Sequence, residues 1–187
     1  KRGICIFTCD ETHIPNGILL PFLIHSKATE IAFDQQRWTE PFKYQCWKKI
    51  IQHKISNQDA FLKQLTNIEG NYLNTISETV TSGDKKNVEA TASRYYWGKL
   101  FLDFKRSTND VRNGALNYGY AILRGAVARS LTANGFIACF GLHHCSQSNS
   151  FNLADDVMEP FRPFVDAIVF NMFKAESKNP DAIMTLS

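Results

Sequence analysis

The sequence predicts a mainly α fold, an all-helical domain preceded by a short β-hairpin. Three observations carry this. Residues 1–23 alternate short apolar runs with turn signals, as strands do. From about residue 38 onward the apolar residues recur at spacings of three and four, the rhythm of amphipathic helices. And a chain of 187 residues with 44% hydrophobic content is long enough for one good core.

The elements follow in order. "ICIFT" and "GILLPF" flank "CDETHIPNG", where Pro15-Asn16-Gly17 is a strong turn signal, so two strands joined by a loop are expected. Two strands alone are marginal in water, which makes residues 1–23 the expected end of a larger N-terminal β domain. Residues 24–38 are expected to be a linker, and residues 39–187 the helical domain. Thr39 can cap a helix with Pro41 in its first turn that buries Phe42, Cys46, Ile50 and Trp47. Asn57 can cap the next, carrying Phe61, Leu65 and Ile68. Asp84 or Asn87 can start a helix through Val88, Ala92, Tyr95 and Leu100. The clearest helix runs from about Val111 to Ala133, with Leu116, Tyr120, Leu123, Val127 and Leu131 in phase and Asn134-Gly135 as its stop. Asn152 has the form of an N-cap with Asp155 at its third position, and Leu153, Val157 and Phe161 mark the buried side. Pro160 lacks the N–H that the Asp156 carbonyl needs, so a kink or break is expected just after Glu159.

Composition narrows the function classes. The longest apolar run, Ile18 to Ile24, is broken by Pro21 and falls short of the roughly 20 residues that span a bilayer. The start "KRGICIFTCDE" has acidic residues where a signal peptide needs an apolar stretch, and a cytoplasmic protein is expected. Cys5, Cys9, Cys46, Cys139 and Cys145 are scattered and lack paired CxxC spacing, which reads as reduced thiols. A net charge of +3 is compatible with an anionic partner. The chain opens inside a strand and stops in a polar tail, as a piece of something longer would.

Two segments concentrate polar side chains. Asn113, Asn117, Tyr120 and Arg124 form a stripe beside the apolar face of the 111–133 helix, either a solvated face or a binding surface. "GLHHCSQSNSFNLADDVMEPFRP" sets two histidines ahead of two aspartates and a glutamate. Asp156 and Glu159, three apart, share a helix face with β-carbons about 5 to 6 Å apart, close enough for one cation. Asp155 points elsewhere. First-turn carboxylates also complement the helix dipole, and that reading accounts for Asp155 and Asp156 but not for Glu159 at the far end. With His144 as the nitrogen donor, the set suits manganese or zinc, or magnesium completed by water. Glu89, opening "EATASRYYWGKLF" beside small residues, is the best outside carboxylate; a first-turn glutamate explains it equally well.

Together, "ALNYGYAILRGAVARSL" and "GLHHCSQSNSFNLADDVMEPFRPFVD" resemble the integrases of CRISPR spacer acquisition, the Cas-one family, and most closely its type II branch. The similarity extends to "SGDKKNVEATASRYYWGKLF" and "CDETHIPNGILLPF", and is weakest between residues 24 and 80. The resemblance implies an N-terminal β domain and an all-helical, metal-dependent catalytic domain with DNA endonuclease and integrase activity. It implies homodimers in the full-length form, assembly with the small Cas-two protein, and double-stranded DNA as substrate. The 3′ hydroxyl of a captured fragment would attack a phosphodiester of the leader-proximal repeat. The family's metal ligands carry over onto Glu89, His144 and Glu159, with Asp156 at a further acidic position and Mg2+ or Mn2+ as cofactor. His143 is assigned a structural role. Arg124, Asn117, Tyr120 and Arg94 are the expected DNA contacts, with Arg106, Arg129, Lys85, Lys86 and Lys99 as further candidates. Cys145 departs from the basic residue that type II relatives often carry there.

Two other readings compete. A catalytically silent helical DNA-binding or scaffold module of the same fold would be expected to have lost a ligand, and Glu89, His144 and Glu159 are all present. A hydrolase of small phosphorylated substrates would want a phosphate-cradling glycine loop, which the sequence lacks.

Overall fold

The structure, a computed structural model, describes residues 6–11, 15–19, 27–66, 68–101 and 103–176. Cys5, Pro21, Ile24 and the polar tail lie outside them. The fold class is the expected one. Strands β1 (Ile6–Cys9) and β2 (Pro15–Leu19) form an antiparallel hairpin, and every later element among the described residues is helical. The hairpin corrects the turn expected at Pro15-Asn16-Gly17, because these residues lie within β2, with Pro15 opposite Cys9, Gly17 opposite Thr8 and Asn16 at an irregularity between them. Gly17 is needed there for lack of a side chain: a Cβ would lie 2.4 Å from Thr8 Oγ1, which donates instead to Asn16 Oδ1.

The expected linker holds helix α1 (Ala28–Gln36). Its anchor is polar, which is why apolar periodicity missed it. Gln35, only 3% exposed, accepts from the Ile137 N–H at 2.7 Å and donates to the Ile137 carbonyl at 3.1 Å.

Helix α2 (Glu40–Thr66) starts at Thr39, whose hydroxyl accepts the Phe42 N–H, and then runs 27 residues without interruption. No break falls at Asn57. Its side chain instead donates to the Pro160 carbonyl at 2.7 Å, tying α2 to the far end of the chain. The buried face is only partly the expected one: Trp47 is buried as expected, but Phe42 is 46% exposed, Cys46 and Ile50 are half-buried, and Ile51 and Ile55 fill the core. Both sets satisfy helical spacing, and only the neighbours decide between them. Those neighbours are α3 (Tyr72–Glu78), α4 (Val88–Leu100), α6 (Asn152–Met158) and α7 (Arg162–Glu176), all packed on α2. Helix α5 (Val111–Ala133) matches the predicted range, is capped by Asp110, and packs on α6 and α7. As Pro160 predicts, α6 stops at Met158 and a single 3-10 turn, Glu159–Phe161, leads into α7. The Asp156 carbonyl accepts from the Glu159 N–H instead of the one that proline lacks.

Within this core Asp166 of α7 is 1% exposed and accepts the Tyr120 hydroxyl. Burial pushes its carboxyl up to about 7, against the pull of that hydroxyl donor. The unfolded chain releases this proton near the ordinary value of about 3.9, so between about pH 4 and pH 7 the folded state binds more protons than the unfolded state. Stability contributed by Asp166 therefore falls as pH rises through that window, by about 2 kcal/mol between pH 5 and pH 7. Asp166→Asn is expected to flatten this slope in thermal melts at the two pH values. An unchanged slope in the variant would show that Asp166 does not titrate as described.

Candidate active site

Helix α2 forms the floor. Trp47, Lys54 and Gln58 fall on one face at steps of seven and four, and all three are buried. The Lys54 ammonium lies 2.5 Å from Glu89 Oε1 on α4 and 2.5 Å from Glu159 Oε2 in the 3-10 turn. The two carboxylate oxygens are thus no more than 5.0 Å apart, twice 2.5 Å. Glu89 is placed by a tight entry into α4, where Asp84 accepts the N–H groups of Val88 and Glu89 and Asn87 adopts a left-handed backbone. The other oxygen of Glu159 accepts from Arg162 Nε at 2.7 Å. Burial alone would lower the Lys54 pKa, but Glu159 and Glu89 outweigh it and leave the ammonium above its ordinary value. Burial likewise pushes Glu159 up, and Lys54 and Arg162 bring it below the usual carboxylate range.

The histidines stand on a loop that Asp156 holds. Its carboxylate is fully buried and accepts the N–H groups of Leu142 at 2.6 Å, His143 at 3.0 Å and His144 at 3.1 Å, together with His144 Nδ1 at 2.6 Å. A carboxylate can only accept, so Nδ1 carries the proton and Nε2 faces away from Asp156. The hydrogen bond to Asp156 raises the His144 pKa, against the effect of burial. The loop closes this tightly because residue 141 is glycine: a Cβ there would meet the His144 carbonyl at 2.1 Å and Asp156 Oδ2 at 3.0 Å. His143 stacks flat on Trp47 with ring centroids 4.1 Å apart, and His144 meets the same indole edge-on at 5.9 Å.

Several expectations change. Asn152 is the first residue of α6 and not its cap; its amide donates to the Cys139 and Ser146 carbonyls and folds the loop onto the helix. Asp155 does not cap either. It accepts Arg124 at 2.6 and 2.9 Å and Asn149 at 2.7 Å. Arg124 is therefore engaged within the protein, as are its stripe-mates: Asn113 and Asn117 accept from Arg106, and Tyr120 donates to Asp166. Arg94 is exposed on α4. Asp156 serves the histidine loop, so the face it was expected to share with Glu159 is not where its oxygens go. The structure brings Glu89 and Glu159 together but leaves His144 on Asp156. Among the described residues, no three His, Cys, Asp or Glu side chains are grouped to hold a metal.

Sequence reasoning missed Lys54, Arg162 and Trp47. A signal for Lys54 was present: a lysine in phase with Trp47, Ile51 and Leu62 on a buried helix face needs a counter-charge inside the protein. Arg162 stands three residues after Glu159, the spacing of a helical ion pair.

The residues fit a divalent cation in two respects. Two carboxylates, Glu159 buried and Glu89 half-buried, already converge on one positive charge, and oxygen donors of this kind suit Mg2+ or Mn2+. An imidazole whose Nδ1–H is held by a carboxylate has the orientation of a metal-ligating histidine with Nε2 presented. Beside the pair lies a cleft of about 200 Å³, lined in part by Gln58, Ser93, Tyr120 and Asp166. On the histidine side an open groove of about 530 Å³ is lined by Gln35, Lys43, His144, Ser146 and Asn149.

The family described as CRISPR associated protein Cas1 matches residues 1–185. The CRISPR-associated endonuclease Cas1 of Neisseria meningitidis serogroup C (strain 8013) is 41% identical over 177 residues, covering 93% of this chain and 58% of that protein. A CRISPR-associated endonuclease Cas1 of Pyrobaculum aerophilum is 26% identical over 184 residues, covering 90% and 62%. Among solved structures, a casposase bound to integration product superposes with a TM-score of 0.72 at 24% identity, over 94% of this chain and 58% of that one. A partial Cas6-RT-Cas1–Cas2 complex gives 0.72 at 23% identity, over 94% and 59%. These two likenesses show the fold. The chain spans about six tenths of the length of the two curated relatives. Among the described residues, no helix is long and apolar enough to cross a membrane.

Proposed function

Because the chain belongs to the Cas1 family of CRISPR-associated proteins, we propose that it forms the helical catalytic part of a divalent-metal-dependent DNA integrase and endonuclease of CRISPR adaptation. The single observation that carries this reading is the convergence of half-buried Glu89 and buried Glu159, from different elements, on one positive charge. On this reading residues 39–187 are the catalytic domain and the hairpin ends an N-terminal β domain.

Glu89 and Glu159 would hold Mg2+ or Mn2+, and His144 would offer Nε2 from the loop that Asp156 and Trp47 fix. Bound metal supplies polarisation of the scissile phosphate and stabilises negative charge on the attacking and departing oxygens. The chain's own residues do the rest. Arg162 keeps the second oxygen of Glu159 engaged, which sets the orientation of its carboxylate. The groove beside His144, with Lys43 and several side-chain amides on its walls, suits a phosphodiester backbone. The 3′ hydroxyl of a DNA fragment loses its proton and forms an O–P bond in the repeat. The O–P bond to the departing 3′ oxygen breaks, and that oxygen takes up a proton. One phosphodiester replaces another, so no nucleotide cofactor is needed. Arg94, Asn117 and Arg124 remain the proposed DNA-side residues; Arg124 would have to exchange Asp155 for phosphate, and Tyr120, expected beside them, is buried with its hydroxyl on Asp166 and is no longer among them. Double-stranded DNA, a second copy of the full-length protein and a Cas2-type protein are the proposed partners.

The test is strand transfer by the full-length protein with its Cas2 partner, a pre-formed DNA fragment and a leader-repeat target. Product is expected in Mn2+ and none in EDTA. Undiminished product in EDTA would rule the reading out.

A further inference from the structure

Lys54 has no counterpart among the ligands assigned above, yet it occupies their meeting point. It is 8% exposed, on the middle of a helix whose neighbouring Ile51 and Ile55 are fully buried, so its backbone is held in place. Its ammonium is 2.5 Å from each glutamate. Two cations at one point repel, and the low dielectric of a buried site strengthens that repulsion. Lysine and a divalent ion therefore cannot both sit between the same two oxygens.

The side chain has somewhere to go. One turn along α2, on the same face, Gln58 is 2% exposed and its Oε1 lacks a hydrogen-bond partner among the described residues. Gln58 and Asp166 both line the cleft of about 200 Å³ that Lys54 itself borders. A buried acceptor left unpaired is unfavourable, and four flexible methylenes allow the ammonium to swing onto it without moving the helix.

We propose that Lys54 is an internal counter-cation, holding Glu89 and Glu159 together in the metal-free protein and withdrawing toward Gln58 as the two carboxylates take up a divalent ion. The inference rests on the metal-dependent reading of the site. It assigns Lys54 as a positioning residue that sets how tightly the site holds metal, with the same pair of oxygens preorganised in either state.

The experiment is Mn2+ binding by titration calorimetry on the purified chain and on its Lys54→Met and Lys54→Arg variants, with a wild-type crystal soaked in Mn2+. Lys54→Met is expected to bind Mn2+ at least about tenfold more tightly than wild type, and Lys54→Arg, which keeps the charge, within about threefold of it. The soaked crystal is expected to show Mn2+ on both glutamates and the Lys54 ammonium beyond hydrogen-bond reach of them. Mn2+ bound with Lys54 still on both carboxylates, or a methionine variant that binds no more tightly, would overturn the proposal and leave the metal site standing. Absence of Mn2+ binding in calorimetry and crystal alike would overturn both. The crystal uses wild-type protein, so the result stands even if the methionine variant fails to fold.

Discussion

Glu159→Gln is expected to reduce strand transfer by a hundred- to a thousandfold while DNA binding changes little. The substitution keeps the shape of the side chain and a hydrogen-bond acceptor for Arg162. It removes one of the two charges that converge on the cation position, and that charge is the part a divalent ion requires. Lys54 still has Glu89, so the local fold retains one half-buried ion pair. Product formation on a denaturing gel and fragment binding by fluorescence anisotropy separate the two effects. A variant that integrates within about threefold of wild type would show that Glu159 is no ligand and that the carboxylate pair is only a structural ion-pair network.

The second large effect is on stability, at Asp156. Its carboxylate ties Leu142, His143 and His144 to α6, through three backbone N–H groups and a ring nitrogen. Asp156→Ala would remove the acceptor of all four donors and leave them only water from the open groove beside the loop, a loss of about 2–4 kcal/mol. Asp156→Asn keeps an acceptor oxygen and should lose less. Urea unfolding measures both, and hydrogen exchange at residues 142–144 should accelerate in the alanine variant before global unfolding. A loss below about 1 kcal/mol would show that the histidine loop is held by Trp47 stacking and the Asn152 amide instead. Activity should fall with the loop, since His144 would lose the partner that fixes its tautomer.

The contrast between Asp156 and Glu159 shows how far the sequence could be read. Both stood out as acids three apart on one turn. Local spacing cannot say that Pro160 ends the helix between their tasks, so that Asp156 faces the loop behind it and Glu159 faces α2 and α4. The capping role expected of Asn152 and Asp155 failed for a related reason. A polar side chain near a helix start takes the best partner within reach, and here those partners lie outside the helix: the Cys139 and Ser146 carbonyls accept the Asn152 amide, and Asp155 accepts from Arg124 and Asn149. Likewise, α2 was divided in two because Asn57 has cap chemistry; its amide is satisfied by the Pro160 carbonyl, more than a hundred residues away in sequence.

By itself, the sequence determined the helical class, the hairpin, the start of α2 at Thr39, the full extent of α5 and the break at Pro160. These depend on periodicity and on backbone chemistry that act within a few residues. Through resemblance it also singled out Glu89, His144 and Glu159. Only the tertiary structure decided that Lys54 stands between the two glutamates, that Asp156 serves the histidine loop and that Arg124 is engaged by Asp155. Each of these is a choice of partner for a charged group leaving water. That choice is made by whichever opposite charge the packed helices bring nearest, and spacing along one helix does not contain it.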